Sequence, residues 1–186
     1  MIALAGILLL SPLYCVLALL IKLDSKGPVF FRAKRIGKNG HVFDMLKFRS
    51  MIPDASIQGP PLTTQYDVRI TRIGRILRKF KLDELPQLLN VLKGEMKFVG
   101  ARPEDPGIVK RYTSDQRKIF DYTPGITSPA SLTFRDEERL IPSEDWEQVY
   151  MKDILPKKLT MDLEYMKRAN FLSDIGVILR TLGVLK

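Results

Sequence analysis

The chain opens on an unbroken apolar run, Ile2 to Ile21, 20 residues without a charge. As a helix it would be about 30 Å long, the thickness of a bilayer's hydrocarbon core. No cationic stretch precedes it and no small-residue cleavage site stands before Lys22, so it reads as a membrane segment rather than a cleaved signal. Ser11-Pro12 lies at its midpoint, where proline removes the amide that would bond to Leu8. The residues alone leave two readings open: a spanning helix with a tolerated proline, and a helix-break-helix that enters and leaves by one face.

Beyond the Gly27-Pro28 break the texture changes to short alternating stretches, VFFRAKR and HVFDMLKF, on either side of Ile36-Gly37-Lys38-Asn39-Gly40. Asn-Gly supplies the positive φ angles of a tight turn, so a β-hairpin is expected, with Lys47 and Arg49 on or just after its second strand. Residues 53–66 are rich in Pro, Gly and polar side chains and read as a loop. From Arg69 to Lys81 basic residues recur every third position, with Ile70, Ile73, Leu77 and Phe80 at helical spacing between them. This predicts a basic amphipathic helix whose crowded cations favour a membrane surface or a phosphate-bearing substrate over a plain solvated face.

Asp83-Glu84-Leu85-Pro86 then predicts a second helix through Leu92, with Asp83 as N-cap and Gly94 as the stop. Val99-Gly100-Ala101-Arg102-Pro103 and Thr123-Pro124-Gly125-Ile126-Thr127 read as turns. An acidic stretch from Asp136 to Glu147 precedes two tail helices, around Lys157–Ala169 and Asp174–Leu185.

Charge sharpens this layout. The formal net charge is +9, and residues 1–103 carry net +10 of it while the remainder carries net −1. The basic half needs an anionic partner: headgroups, phosphate esters or nucleic acid. Cations following the apolar run, from Lys22 to Lys38, point to the cytosolic side of a membrane. Cys15 and His41 are the only residues of their kinds, which excludes an internal disulfide, a thiolate cluster and a multi-His zinc site. His41 reads as an ordinary turn residue and Cys15 as a lipid-facing apolar one.

Two adjacent carboxylates at a helix start, one turn after Arg78, should both be ionised. Taken alone, such a pair is most often a cap. Beside Lys47, Arg49 and Arg102, cations able to gather a diphosphate, it becomes a candidate for nucleophilic attack at phosphorus by Asp83, with Glu84 holding Mg²⁺. Competing nucleotide chemistries lack their marks: there is no phosphate loop, no G-x-G-x-x-G and no D-x-D pair. Nucleic acid is disfavoured because no aromatic stacking platforms interleave with the cations.

Several segments together resemble the bacterial sugar transferase family, the monotopic phosphoglycosyl transferases. They are Lys22-Leu23-Asp24-Ser25, Gly27-Pro28-Val29-Phe30, Lys47-Phe48-Arg49-Ser50-Met51, Leu82 to Leu88, Asn90 to Gly94, Val99-Gly100 with Arg102-Pro103, and Pro124 to Thr127. The resemblance implies a re-entrant membrane helix over 1–22 turning at Ser11-Pro12, and a cytosolic catalytic domain over 23–186. The fold it implies is α/β, mostly helical, with a small hairpin and amphipathic helices on the membrane surface.

The implied reaction moves a phospho-sugar from a UDP-sugar to polyprenyl phosphate at the inner (cytoplasmic) membrane of a bacterium. Asp83 matches the nucleophile, which releases UMP, and Glu84 the Mg²⁺ ligand; Lys47, Arg49, Arg78 and Arg102 are expected at the substrate phosphates. A non-catalytic module binding anionic lipid is the alternative, and a homodimer is left open. The chain departs from the family in starting almost inside the apolar run, which points to a truncated start. It also departs at Ala101, where a proline is common, and after Thr127, so sugar identity does not carry over.

Overall fold

Residues 2–55, 59, 62–63, 67–137, 140–141 and 145–185 are described by the computed structural model of the chain. The apolar run forms one helix, α1 (Ile2–Asp24), with Pro12 inside it. The break expected at Ser11-Pro12 is not seen as a gap in the helix. Ser11 Oγ donates to the Leu8 carbonyl at 2.8 Å, the acceptor that proline leaves without its amide, and this local substitution keeps the turn closed.

The inner stripe of α1 packs on the rest of the chain. Leu17 and Ile21 share a core with Phe48 and Leu77, and Tyr14 meets Phe48 edge to face. Near the start of the helix a Cβ at Gly6 would lie 3.5 Å from Leu88. The opposite stripe, with Leu8, Leu9, Val16, Leu19 and Leu23, is exposed.

The hairpin forms as expected: β1 (Phe30–Ile36) pairs antiparallel with β2 (Val42–Phe48). Asn39 and Gly40 turn the chain with φ of 55° and 77°, and His41 closes this turn. Arg49 follows β2 and is buried at the end of α1, where it donates to the carbonyls of Ile21 (3.3 Å), Ser25 (2.7 Å) and Lys26. A guanidinium at a helix C-terminus satisfies acceptors the helix cannot. Gly27 makes room for it, since a Cβ there would sit 2.2 Å from Arg49 Nη1.

The basic helix is shorter than the spacing suggests. α2 (Arg72–Lys79) starts after Thr71, whose hydroxyl accepts from the Gly74 amide, while Asp24 from the end of α1 accepts from the Ile73 amide at 3.1 Å. Arg69 therefore lies outside it, buried and paired with Asp67 at 2.6 Å. Lys81 takes a left-handed conformation, φ 55°, which ends α2 and feeds a single 3-10 turn, Leu82–Glu84. α3 (Gln87–Leu92) begins only after Pro86 and ends at Gly94, φ 79°.

Asn90, fully buried on α3, fastens that helix to the hairpin edge. Its Oδ1 accepts from the Leu46 amide at 2.9 Å and its Nδ2 donates to the Asp44 carbonyl at 2.8 Å, as a neighbouring strand would. The two segments read as Pro/Gly turns contain short strands instead. β3 (Lys97–Val99) and β4 (Gly125–Thr127) pair in parallel, and a Cβ on Gly125 would come within 2.1 Å of the Gly100 nitrogen, so the close approach requires glycine.

The tail closes the third side. α4 (Pro106–Val109), α5 (Ser114–Arg117) and α6 (Pro129–Thr133) are short, and α7 (Trp146–Val149) runs through one π turn into α8 (Leu155–Arg168). The last helix, α9 (Phe171–Thr181), starts three residues before the predicted point because Asn170 and Ser173 form a capping box. Ile108, Tyr112, Tyr150, Ile154 and Leu155 form the main core here. Parts of the predicted 53–66 loop and of the acidic stretch lie outside the described residues. The chain is thus mostly helical, with a two-stranded hairpin, a short parallel pair and one apolar N-terminal helix.

Candidate active site

The 3-10 turn that carries Asp83 and Glu84 is held from three sides. Tyr14 of α1 donates to the Leu85 carbonyl at 2.7 Å, Lys47 reaches it from β2, and Arg102 reaches it from the segment after β3. The turn opens onto a cavity of about 560 Å³, in the range of small-molecule sites, whose walls include Lys47, Arg78, Lys81, Asp83, Glu84 and Arg102.

Glu84 sits at the centre of the cations. Its Oε1 accepts from Lys47 Nζ at 3.3 Å and from Arg102 Nη2, and its Oε2 from Arg102 Nη1 at 3.1 Å. Burial disfavours its charge, but Arg102, Lys47 and Lys81 outweigh that and hold the carboxyl well below the usual carboxylate range. Reciprocally, Glu84 holds the Arg102 guanidinium more firmly protonated than usual. Burial lowers the affinity of Lys47 for its proton, with Glu84 acting in the opposite direction.

Asp83 behaves differently. It is 4% exposed, and its Oδ1 is buried without a hydrogen-bond partner among the described residues. It does not cap the following helix: α3 starts at Gln87 behind Pro86, and no side chain caps it. The predicted N-cap role is therefore absent, because the 3-10 turn and Pro86 intervene. A buried acceptor left open beside a cation-lined cavity is the opposite of what a merely structural cap presents.

The predicted residues thus divide. Lys47, Arg78, Asp83, Glu84 and Arg102 come together. Arg49 does not; it is committed to the end of α1. Sequence reasoning did not single out Lys81, nor the charged and tyrosine side chains elsewhere in the cavity, Arg35, Glu104, Arg135, Glu137, Tyr150 and Lys158. Lys81 was visible only as the last cation of the basic run, and the others have no common local pattern; folding brings them together from four segments.

No group of three or more His, Cys, Asp or Glu able to hold a metal occurs among the described residues. A hard divalent ion of the Mg²⁺ type needs no such cluster, since it commonly takes one or two carboxylates and completes its shell with substrate phosphates and water. The unpartnered Oδ1 of Asp83 and the adjoining Glu84 carboxylate are oxygen donors of that chemistry, Glu84 once an ion takes the place of one of its cations.

Known proteins resemble the chain along its whole length. The chain is 38% identical over 183 residues to an undecaprenyl-phosphate glucose phosphotransferase of Komagataeibacter xylinus, covering 95% of this chain and 32% of that protein. It is 35% identical over 182 residues to the UDP-glucose:undecaprenyl-phosphate glucose-1-phosphate transferase of Escherichia coli K12, covering 94% and 36%. Against the exopolysaccharide production protein PSS of Rhizobium leguminosarum bv. phaseoli the identity is 52% over 137 residues, 70% of this chain and 68% of that one. The chain spans about a third of the length of the first two. The family description "Bacterial sugar transferase" matches residues 1–186, and the chain belongs to that family.

Proposed function

We propose that this chain is a phosphoglycosyl transferase that moves a phospho-sugar from a UDP-sugar to polyprenyl phosphate, with Asp83 as nucleophile. The observation that carries the reading is the buried, unpartnered Oδ1 of Asp83, a residue lining a cavity whose walls also hold Lys47, Arg78 and Arg102. A carboxylate oxygen attacking the sugar-bearing phosphorus forms an aspartyl phosphate ester while the bond to the other phosphate breaks, and UMP leaves. An oxygen of polyprenyl phosphate then attacks the same phosphorus, the aspartyl bond breaks, and the carboxylate is regenerated with the sugar on a polyprenyl diphosphate. Lys47, Arg78 and Arg102 bind and orient the phosphates and reduce the repulsion between anion and anion. Mg²⁺, when bound at Asp83 and Glu84, would supply further screening of the diphosphate charge.

The membrane arrangement belongs to the same proposal. α1 meets the remainder of the chain at both its ends, through Gly6 near Leu88 and through Ile21 near Phe48 and Leu77. A helix crossing to the far side of a bilayer would carry one end away from its own domain. This supports residues 1–22 as a monotopic, re-entrant anchor and residues 23–186 as a catalytic domain on the cytosolic leaflet of a bacterial inner membrane. α2 supports surface contact as well, with Ile76 and Phe80 exposed among Arg72, Arg75 and Lys79. Asp83 is one short turn from the Tyr14 contact with α1, which suits a greasy acceptor.

The test is UMP release from UDP-sugars with Mg²⁺ and polyprenyl phosphate, in the parent and in Asp83→Asn. Release by the parent alone supports the reading; equal release by both, or none from any donor, refutes it.

A further inference from the structure

Resting on that reading, we infer that the cavity's second pole, around Glu137, receives a neutral hydroxyl-bearing group attached to the diphosphate, and that Glu137 helps select it. The cavity, at about 560 Å³, is far larger than a diphosphate occupies. Lys47 and Arg102 pair with Glu84, next to Asp83, whereas Glu104 and Glu137 gather at Lys158, and all of them line the same walls. Glu137 lies close enough to Arg102 to reinforce its positive charge, so the two poles adjoin.

The second pole is built on buried groups. Lys158, 7% exposed, donates to Glu137 Oε2 at 2.8 Å and to the Tyr150 hydroxyl at 3.3 Å, and lies 3.8 Å from Glu104. The Tyr150 hydroxyl donates to Glu104. Both carboxylates thus draw on the Lys158 ammonium, while Arg35, paired with Asp105 at 3.1 Å, also neighbours Glu104, and Arg135 lines the same cavity.

Glu137 is 24% exposed, and among the described residues only Lys158 donates to it, through Oε2. No donor to its Oε1 occurs among the described residues, and Glu137 lines a cavity that otherwise attracts phosphate. A carboxylate there repels phosphate and accepts from hydroxyls, so the group that fits is a polyol. In the proposed donor the polyol is either the transferred pyranose or the ribose of the uridine.

The experiment uses the full chain in nanodiscs, with Glu137→Gln and Glu137→Asp. KM and kcat are measured for UDP-glucose, UDP-galactose and UDP-N-acetylglucosamine, and Kd for UDP. Losing a hydrogen bond to a charged acceptor should raise KM about tenfold in E137Q with kcat changed far less. Glu137→Asp, retaining the charge on a shorter arm, should fall between, and supplies the test should E137Q fold poorly. A KM rise with an unchanged UDP Kd assigns the pyranose; a parallel rise in both assigns the ribose. If the parent turns over donors and both variants keep KM and Kd within twofold, this inference is wrong while the transferase reading stands. If the parent turns over none, both fall.

Discussion

Replacing Glu84 by Gln isolates the electrostatics of the site from its chemistry. In the parent, one carboxylate compensates Arg102 and Lys47, whose side chains are 26% and 19% exposed. Gln keeps the shape and one acceptor but removes the charge, leaving two cations beside each other in a half-buried cavity. Breaking a fully buried pair costs about 3–5 kcal/mol, and partial solvent screening here reduces that to roughly 2–3 kcal/mol. For a chain of this length the loss corresponds to a Tm lower by about 5–10 °C. The assay is thermal unfolding in low-salt nanodiscs, with and without UDP. Because the diphosphate would replace the missing negative charge, UDP should raise the Tm of E84Q by more than it raises that of the parent. An unchanged Tm, or equal increments with UDP in both proteins, refutes the claim that Glu84 is what holds these cations together.

Two further outcomes follow from buried groups away from the cavity. Arg49→Met removes three donated hydrogen bonds from the end of α1 and should lower stability by roughly 3 kcal/mol, read as earlier unfolding and faster proteolysis after Lys22. Its KM for UDP-sugars should stay within twofold of the parent, in contrast to substitution of Arg102. Asp162 is buried under α6, accepting from Ser128 Oγ at 3.0 Å and from the Ala130 amide at 3.1 Å. Burial raises its pKa to about 6 despite those bonds. Since the folded value lies above the unfolded one, the associated stability is complete below the ordinary carboxylate range. It is lost as pH rises through about 6, to a total of roughly 3 kcal/mol. Asp162→Asn should therefore gain on the parent in Tm between pH 4 and pH 7; a constant difference across that window would show that Asp162 does not titrate as described.

Local pattern carried the hairpin, the apolar helix and α8, since each rests on periodicity or turn chemistry within a dozen residues. What escaped it were features decided by distant partners. Arg49 stands two residues from Lys47 and carries the same charge, but the carbonyls of Ile21, Ser25 and Lys26 claim it, and only the fold brings those to it. Asp83 looked like a cap because an acid with a proline one turn on usually opens a helix; the left-handed Lys81 and the 3-10 turn moved the helix start past it. β3 and β4 were read as turns because their glycines suit turns, whereas here they permit two backbones to touch. At the candidate site the cations lining the cavity near Asp83 were legible, Arg49 apart, and the Glu104, Glu137 and Lys158 group was not, because its members lie more than 20 residues apart in the chain.

The central claim is that Asp83 becomes covalently loaded, and intact-protein mass spectrometry tests it most directly. With a UDP-sugar and Mg²⁺ but no polyprenyl phosphate, the parent should gain the mass of one phospho-sugar, mapped by fragmentation to Asp83, and lose it when acceptor is added. Turnover without any adduct, or an adduct that persists in Asp83→Asn, would contradict the account.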